Sequence, residues 1–144
     1  MRNPCVAGAG LQGLLAIGFG AFGAHALKQV VASLPPEEAA RRLAWVDTGS
    51  KYQLAHAAAL LALAALWPAL SSRPRNLALA GFFWGPLLFS ASLYAMALGG
   101  PLWLGALTPV GGTLMLSGWA ALIWAGLRRH QTGKEGLSSP TSHH

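Results

Sequence analysis

Long runs without charge alternate with short charged connections along this chain. Residues 3–27, 52–72 and 76–127 contain no Asp, Glu, Lys or Arg. A helix needs about 20 apolar residues to cross a hydrocarbon core about 30 Å thick. The first run therefore predicts one span, residues 6–27, and the second a span over 52–67 closed by Pro68. The third run is too long for one crossing and divides at Gly99-Gly100-Pro101. It predicts spans over 77–98 and 108–127, joined by the uncharged linker Leu102 to Leu107. Pro86 falls inside the third span, where membrane helices tolerate proline at the cost of a kink.

The one sizeable polar connection, Lys28 to Lys51, has a pattern of its own. Ser33-Leu34-Pro35-Pro36-Glu37-Glu38 reads as a helix start, with a Ser cap, prolines in the first turn and acids at the positive end of the helix dipole. Ala39, Ala40, Leu43 and Val46 then recur at helical spacing. This predicts a short amphipathic helix at the membrane surface, entering span two near Gly49. From Gln131 onward the chain is polar and reads as a disordered tail, with His143 and His144 as a tag remnant. Arg2, the apolar run and Ala24-His25-Ala26 imitate a signal peptide, but the run is longer than the about 7–15 residues of a signal core.

Composition excludes a soluble fold: 10% of the 144 residues are charged and 53% are hydrophobic, too few polar positions to face water. The fold class is all-α: an integral membrane protein, an antiparallel bundle of four transmembrane helices with the short amphipathic helix between the first and second. Residues 1–130 form the membrane domain and 131–144 the tail. The net charge of +6 reflects only four acids, and the scattered basic residues form no nucleic-acid face. Cys5 is the only cysteine, so no intrachain disulfide or zinc ribbon can form. Even-numbered spans put both termini and the 71–76 loop on one side, with Arg2, Arg73, Arg75, Arg128, Arg129 and Lys134. Lys28, Arg41, Arg42 and Lys51 lie on the other. Six against four predicts cytoplasmic termini in a cell inner membrane.

Small residues mark the packing faces, since in lipid close approach replaces the hydrophobic force. Gly13, Gly20 and Gly23 lie on a small-residue stripe of span one, and Gly111 and Gly112 on one of span four. Spans one and four are thus the expected inner contacts, or contacts with a second copy. The polar residues gather at one end of the bundle. His25 precedes Lys28 by three positions, and His56 follows Lys51 by five. Ser90, Ser92 and Tyr94 end span three, Thr108 and Thr113 begin span four, and Trp45, Thr48, Tyr52 and Gln53 join from the connection. The predicted cluster is His25, Tyr52, Gln53, His56, Ser90, Ser92, Tyr94 and Thr108. Polar groups in lipid need partners, so the cluster either holds the helices in register or forms a small polar site near the outer surface.

Two histidines on different helices also invite a haem or metal reading. With no intramembrane carboxylate or cysteine they make a thin shell, and the expectation is no metal and no cofactor. No general-acid pair, nucleophile–base spacing or phosphate loop appears in the bundle, so no catalytic residue is assigned. Gly8-Ala9-Gly10-Leu11-Gln12-Gly13 superficially matches a dinucleotide fingerprint, but no strand precedes it and it lies within a span.

The same segments carry a family resemblance. Gly20-Ala21-Phe22-Gly23-Ala24-His25-Ala26-Leu27-Lys28 is followed in order by Thr48-Gly49, Tyr52-Gln53 and His56. Leu88-Phe89-Ser90 and Ser92-Leu93-Tyr94 come next, then Thr108-Pro109-Val110-Gly111-Gly112 and Gly118-Trp119. Together they resemble the YgdD family of small four-helix membrane proteins of unknown function, found in bacteria with relatives in mitochondria. Ala91 departs mildly from the glycine the family often has between the two serines. The resemblance implies an inner-membrane protein of four helices and carries no activity, substrate or catalytic residue.

The resulting expectation is a structural or accessory membrane component, not an enzyme. Its partners are the lipid bilayer and either a second copy or another membrane protein. The alternatives are a small-molecule or ion pathway through the bundle or an oligomer, and a haem- or cofactor-binding protein using His25 and His56.

Overall fold

A computed structural model describes residues 3–135, and side chains through Leu127. It is helical throughout its elements, and four helices are long and apolar enough to cross a membrane: α1 (Pro4–Val30), α2 (Pro36–Leu66), α3 (Ser72–Ala97) and α4 (Leu107–Glu135). Asn3 caps α1, its Oδ1 accepting from the Cys5 N–H at 3.0 Å, and Pro4 needs no donor in the first turn. Near its far end α1 widens into one π turn, Gly23–Leu27, before Lys28. At α3's end Gly99 takes a left-handed φ of 94°, and the Gly100 N–H reaches back to the Ala95 carbonyl at 2.9 Å. That is the six-to-one bond of a Schellman cap. Pro101 and one 3-10 segment, Leu102–Ala106, lead into α4.

Two boundaries differ from the sequence pattern. The amphipathic segment is not a separate surface helix: α2 starts at Pro36 and runs unbroken through Gly49 to Leu66. The 31 residues of α2 measure about 46 Å at the helical rise, well beyond the about 30 Å core. Its charged first half therefore stands out of the hydrocarbon, held by Glu38–Arg42 and Asp47–Lys51 ion pairs, each 2.6 Å. No proline lies between Ala39 and Leu66 and the single Gly49 costs only about 1 kcal/mol, so continuing the helix satisfies backbone groups that a bend would expose. At the other end α4 continues to Glu135, past the expected tail boundary at 131. The disordered tail and the tag remnant otherwise lie outside the described residues.

The helices pack in chain order, α1 on α2, α2 on α3 and α3 on α4, with α1 also touching α3. Helix α3 is the centre: half of its apolar window is buried, against 28% for each of the other three. Spans one and four are consequently not the inner pair, because α3 occupies that position. The closest backbones are those of α3 and α4. A Cβ on Gly81 would lie 2.6 Å from the Leu114 carbonyl oxygen, and one on Gly111 would lie 2.6 Å from the Phe89 nitrogen. Gly81 and Gly85, four apart, form a small-xxx-small face of the kind that lets membrane helices touch.

Two apolar clusters close the ends. Cys5, Ala9, Leu60, Leu63, Ala78, Phe82 and Ala121 pack toward the chain termini. Leu27, Val31, Val46, Tyr94 and Ala97 pack at the opposite end. Arg75 folds over Trp67, its guanidinium carbon 4.3 Å from the ring centroid, and closes the α2–α3 turn.

Candidate functional site

Helix α3 distributes hydrogen bonds to all three neighbours. Toward α2, Ser90 Oγ donates to the Gly49 carbonyl at 2.8 Å and the Tyr94 hydroxyl donates to Gln53 Oε1 at 2.9 Å. Tyr94 is held by two further neighbours. Phe19 of α1 stacks on it with ring centroids 3.9 Å apart, and Gly49 lies so close that an added Cβ would be 2.7 Å from the ring. Toward α4, Ser92 Oγ and Thr108 Oγ1 share a hydrogen bond of 2.8 Å. Toward α1, Gln12 Nε2 donates to the carbonyls of Phe82 and Phe83 at 2.8 and 3.0 Å. Pro86, four residues beyond Phe82, has no N–H to offer that carbonyl, and Gln12 supplies the missing donor.

His56 joins α2 to α4. Its Nδ1 lies 2.8 Å from the Tyr52 carbonyl and its Nε2 lies 3.2 Å from Trp119 Nε1. A carbonyl only accepts and an indole N–H only donates, so Nδ1 carries the proton and Nε2 is the acceptor. Both ring nitrogens of a neutral imidazole are thereby engaged. Phe82 packs edge-on against His56 and beside Trp119, with centroids at 5.6 and 4.8 Å. Alongside, a groove of about 390 Å³ opens between α2 and α4 over Phe89, lined by Tyr52, His56, Thr113 and Trp119.

The structure thus brings Gln53, His56, Ser90, Ser92, Tyr94 and Thr108 into bonds between helices. Tyr52 contributes its backbone carbonyl and packs its ring on Phe89, while its side chain is about half exposed. His25 is not drawn in: it is exposed on the π turn, and its side chain makes no hydrogen bond among the described residues. The expected equal depth does not hold: α1 and α2 meet with Gly20 beside Ser50 and Gly23 beside Val46, so His56 is level with Gly13, roughly 17 Å of helical rise from His25. Among the predicted packing glycines, Gly111 and Gly23 are in close contact and Gly20 in ordinary contact with Ser50. Gly13 and Gly112 face open space. The sequence pattern missed Gln12, Gly81, Gly85 and Trp119. A signal existed for three of them: Gly81 and Gly85 four apart, and a lone glutamine in an uncharged span opposite a helix containing proline. Among the described residues no group of three His, Cys, Asp or Glu side chains could hold a metal ion.

This fold and this lattice define a polytopic α-helical membrane protein whose polar side chains are concentrated between its helices. The model of a family described as protein of unknown function (DUF423) matches residues 19–112, and the chain belongs to that family. It is 35% identical over 128 residues to a UPF0382 membrane protein of Haemophilus influenzae, covering 89% of this chain and 97% of that one. It is 32% identical over 132 residues to the UPF0382 inner membrane protein YgdD of Escherichia coli, covering 87% and 90%. A UPF0382 membrane protein of Staphylococcus epidermidis is 34% identical over 120 residues, covering 82% and 90%. No solved structure matches the chain.

Proposed function

We propose that this protein is a structural or accessory component of the inner membrane, without enzymatic chemistry of its own. The supporting observation is the use of its buried polar groups. Ser90, Tyr94, Ser92 and His56 all bond to another helix, to Gly49, Gln53, Thr108 and Trp119 respectively. A transport route or catalytic centre needs polar groups available to a solute, whereas these four are engaged between helices. The relatives' names include an inner membrane protein, which favours that membrane for this chain. The excess of basic residues beside the termini favours cytoplasmic ends, and a C-terminal reporter active only outside the inner membrane would reverse that orientation.

The test is purification from native membranes in mild detergent, paired with deletion of the gene. A stoichiometric membrane-protein companion whose assembly falls in the deletion strain is the expected result. Ion or solute flux through proteoliposomes of the pure protein, abolished by changes at the polar lattice, would overturn it. A haem absorbance band lost with His56 would do the same.

A further inference from the structure

A second polar feature lies outside the lattice. Between α1 and α2, a cleft of about 190 Å³ is lined by Gly20, Gly23, Ala24, Lys28, Asp47 and Ser50, with Leu43 and Val46 at its apolar side. Its level in the membrane follows from the charge pattern. Lys28 is the first charge after the uncharged run 3–27, and Asp47 and Lys51 are the last before 52–72. In the antiparallel pair α1–α2 these ends meet at one membrane surface, so the cleft opens at the depth of lipid headgroups.

Its shape comes from missing side chains on α1. Gly23 lets Val46 approach so closely that a Cβ there would be 2.7 Å from Val46 Cγ1, while at Gly20 the nearest atom to a Cβ is Ser50 Oγ at 3.5 Å. The π turn Gly23–Leu27 widens α1 between these small residues and Lys28. Charge is divided across the opening. Lys28 makes no ion pair among the described residues. On the other wall Asp47 uses Oδ2 for Lys51 at 2.6 Å, and Oδ1 has no hydrogen-bond partner among the described residues. An open cation thus lies across a small cleft from an open carboxylate oxygen.

We propose that this cleft binds the headgroup of an aminophospholipid, with the phosphate on Lys28 and the primary ammonium on Asp47. Charge complementarity selects a ligand carrying both signs. The volume suits a few-atom head and falls below the about 300 Å³ where pockets for drug-sized ligands begin. The opening toward the headgroup layer identifies the source as a lipid of the surrounding leaflet. An anionic lipid without an amine would satisfy Lys28 and leave Asp47 facing a hydroxyl. A choline headgroup has no N–H to donate and a bulkier cation. The proposal rests on the membrane placement and not on the accessory role, so either can fail without the other.

The experiment is native mass spectrometry of the full chain released from nanodiscs holding equal parts phosphatidylethanolamine, phosphatidylcholine and phosphatidylglycerol with the same acyl chains. The wild type should retain phosphatidylethanolamine over both others. Lys28→Gln should lower its retention about five-fold, the factor one lysine contributes near a charged membrane surface. Asp47→Asn should keep lipid bound but erase the preference over phosphatidylcholine. Ala24→Leu, which fills the cleft without touching a charge, should release the lipid and serves if Asp47→Asn loosens α2. Lys28 and Ala24 are exposed, so thermal melting should be unchanged for those variants. Equal retention of the three lipids, or a Lys28→Gln protein indistinguishable from wild type, would sink the proposal. Displacement of the lipid by equimolar free phosphoethanolamine would also overturn it, because the site would then read a soluble ligand.

Discussion

Gln12 lies on α1, yet its amide repairs a break in α3: Nε2 donates at 2.8 Å to the Phe82 carbonyl, the acceptor that Pro86 leaves without its helical donor. The side chain is fully buried, so no lipid headgroup or bulk water can take its place. A proline in a membrane helix is stable when a neighbour satisfies the backbone it frees. Here the neighbour lies 70 residues away in sequence, and the bond also fixes how α1 sits on α3.

Replacing Gln12 by Leu should destabilise the bundle by about 1–2 kcal/mol, the range for interhelical hydrogen bonds in model membrane peptides. In a Pro86→Ala background, where α3 recovers its own donor, the same replacement should cost much less. Unfolding of the four proteins in one detergent measures the difference. Strict additivity would show that Gln12 does not serve the proline.

Tyr94→Phe and Gln53→Leu remove the two ends of one buried bond and should couple by about 0.6 kcal/mol, the average found in one membrane bundle. Gly49→Ala should be worse than either, at about 1–3 kcal/mol, since its Cβ would enter the Tyr94 ring, which Phe19 prevents from retreating. Unfolding of the Tyr94–Gln53 cycle and of the single Gly49→Ala variant in one detergent checks both. A neutral Gly49→Ala would mean the Tyr94 clamp is looser than its geometry.

Glycine substitutions should divide by contact rather than by motif. Gly81→Ala and Gly111→Ala push a methyl into the facing backbone and should cost at least about 1–3 kcal/mol. Gly13→Ala and Gly112→Ala meet nothing within 4 Å and should be neutral or stabilising, by up to about 1 kcal/mol from helix propensity. Melting temperatures of the four single variants decide it.

His25→Ala and His56→Ala should act independently. Only His56 bonds across helices, through Trp119, so His56→Ala and Trp119→Phe should be non-additive while His25→Ala simply adds to either. With both nitrogens of His56 engaged, the purified protein should be colourless. Coupling between the two histidines would overturn this separation.

Membrane residence, the four helices and the break at Gly99-Gly100-Pro101 were legible in the chain alone, although the expected break near Gly49 is absent. Hydrocarbon admits no charged runs and no unpaired backbone, so uncharged blocks with Gly and Pro interruptions leave one architecture. The gathering of Gln53, Ser90, Ser92 and Tyr94 at one end was legible too, because helical rise converts sequence distance into depth, whereas His56 lies deeper, beside Phe82 and Trp119. Rotation and neighbour order were not. In a soluble helix the core face is apolar and the outer face polar, but in lipid both faces are apolar, and periodicity loses its contrast. Hence the pattern could not show that Gly13 faces outward while Gly81 meets Gly118, or that His25 turns away while His56 finds Trp119. Only the packing of α3 between α2 and α4, with α1 against its side, decided which polar groups meet. That choice depends on matching small residues and hydrogen-bond partners across helices far apart in sequence, such as Gln12 and Phe82.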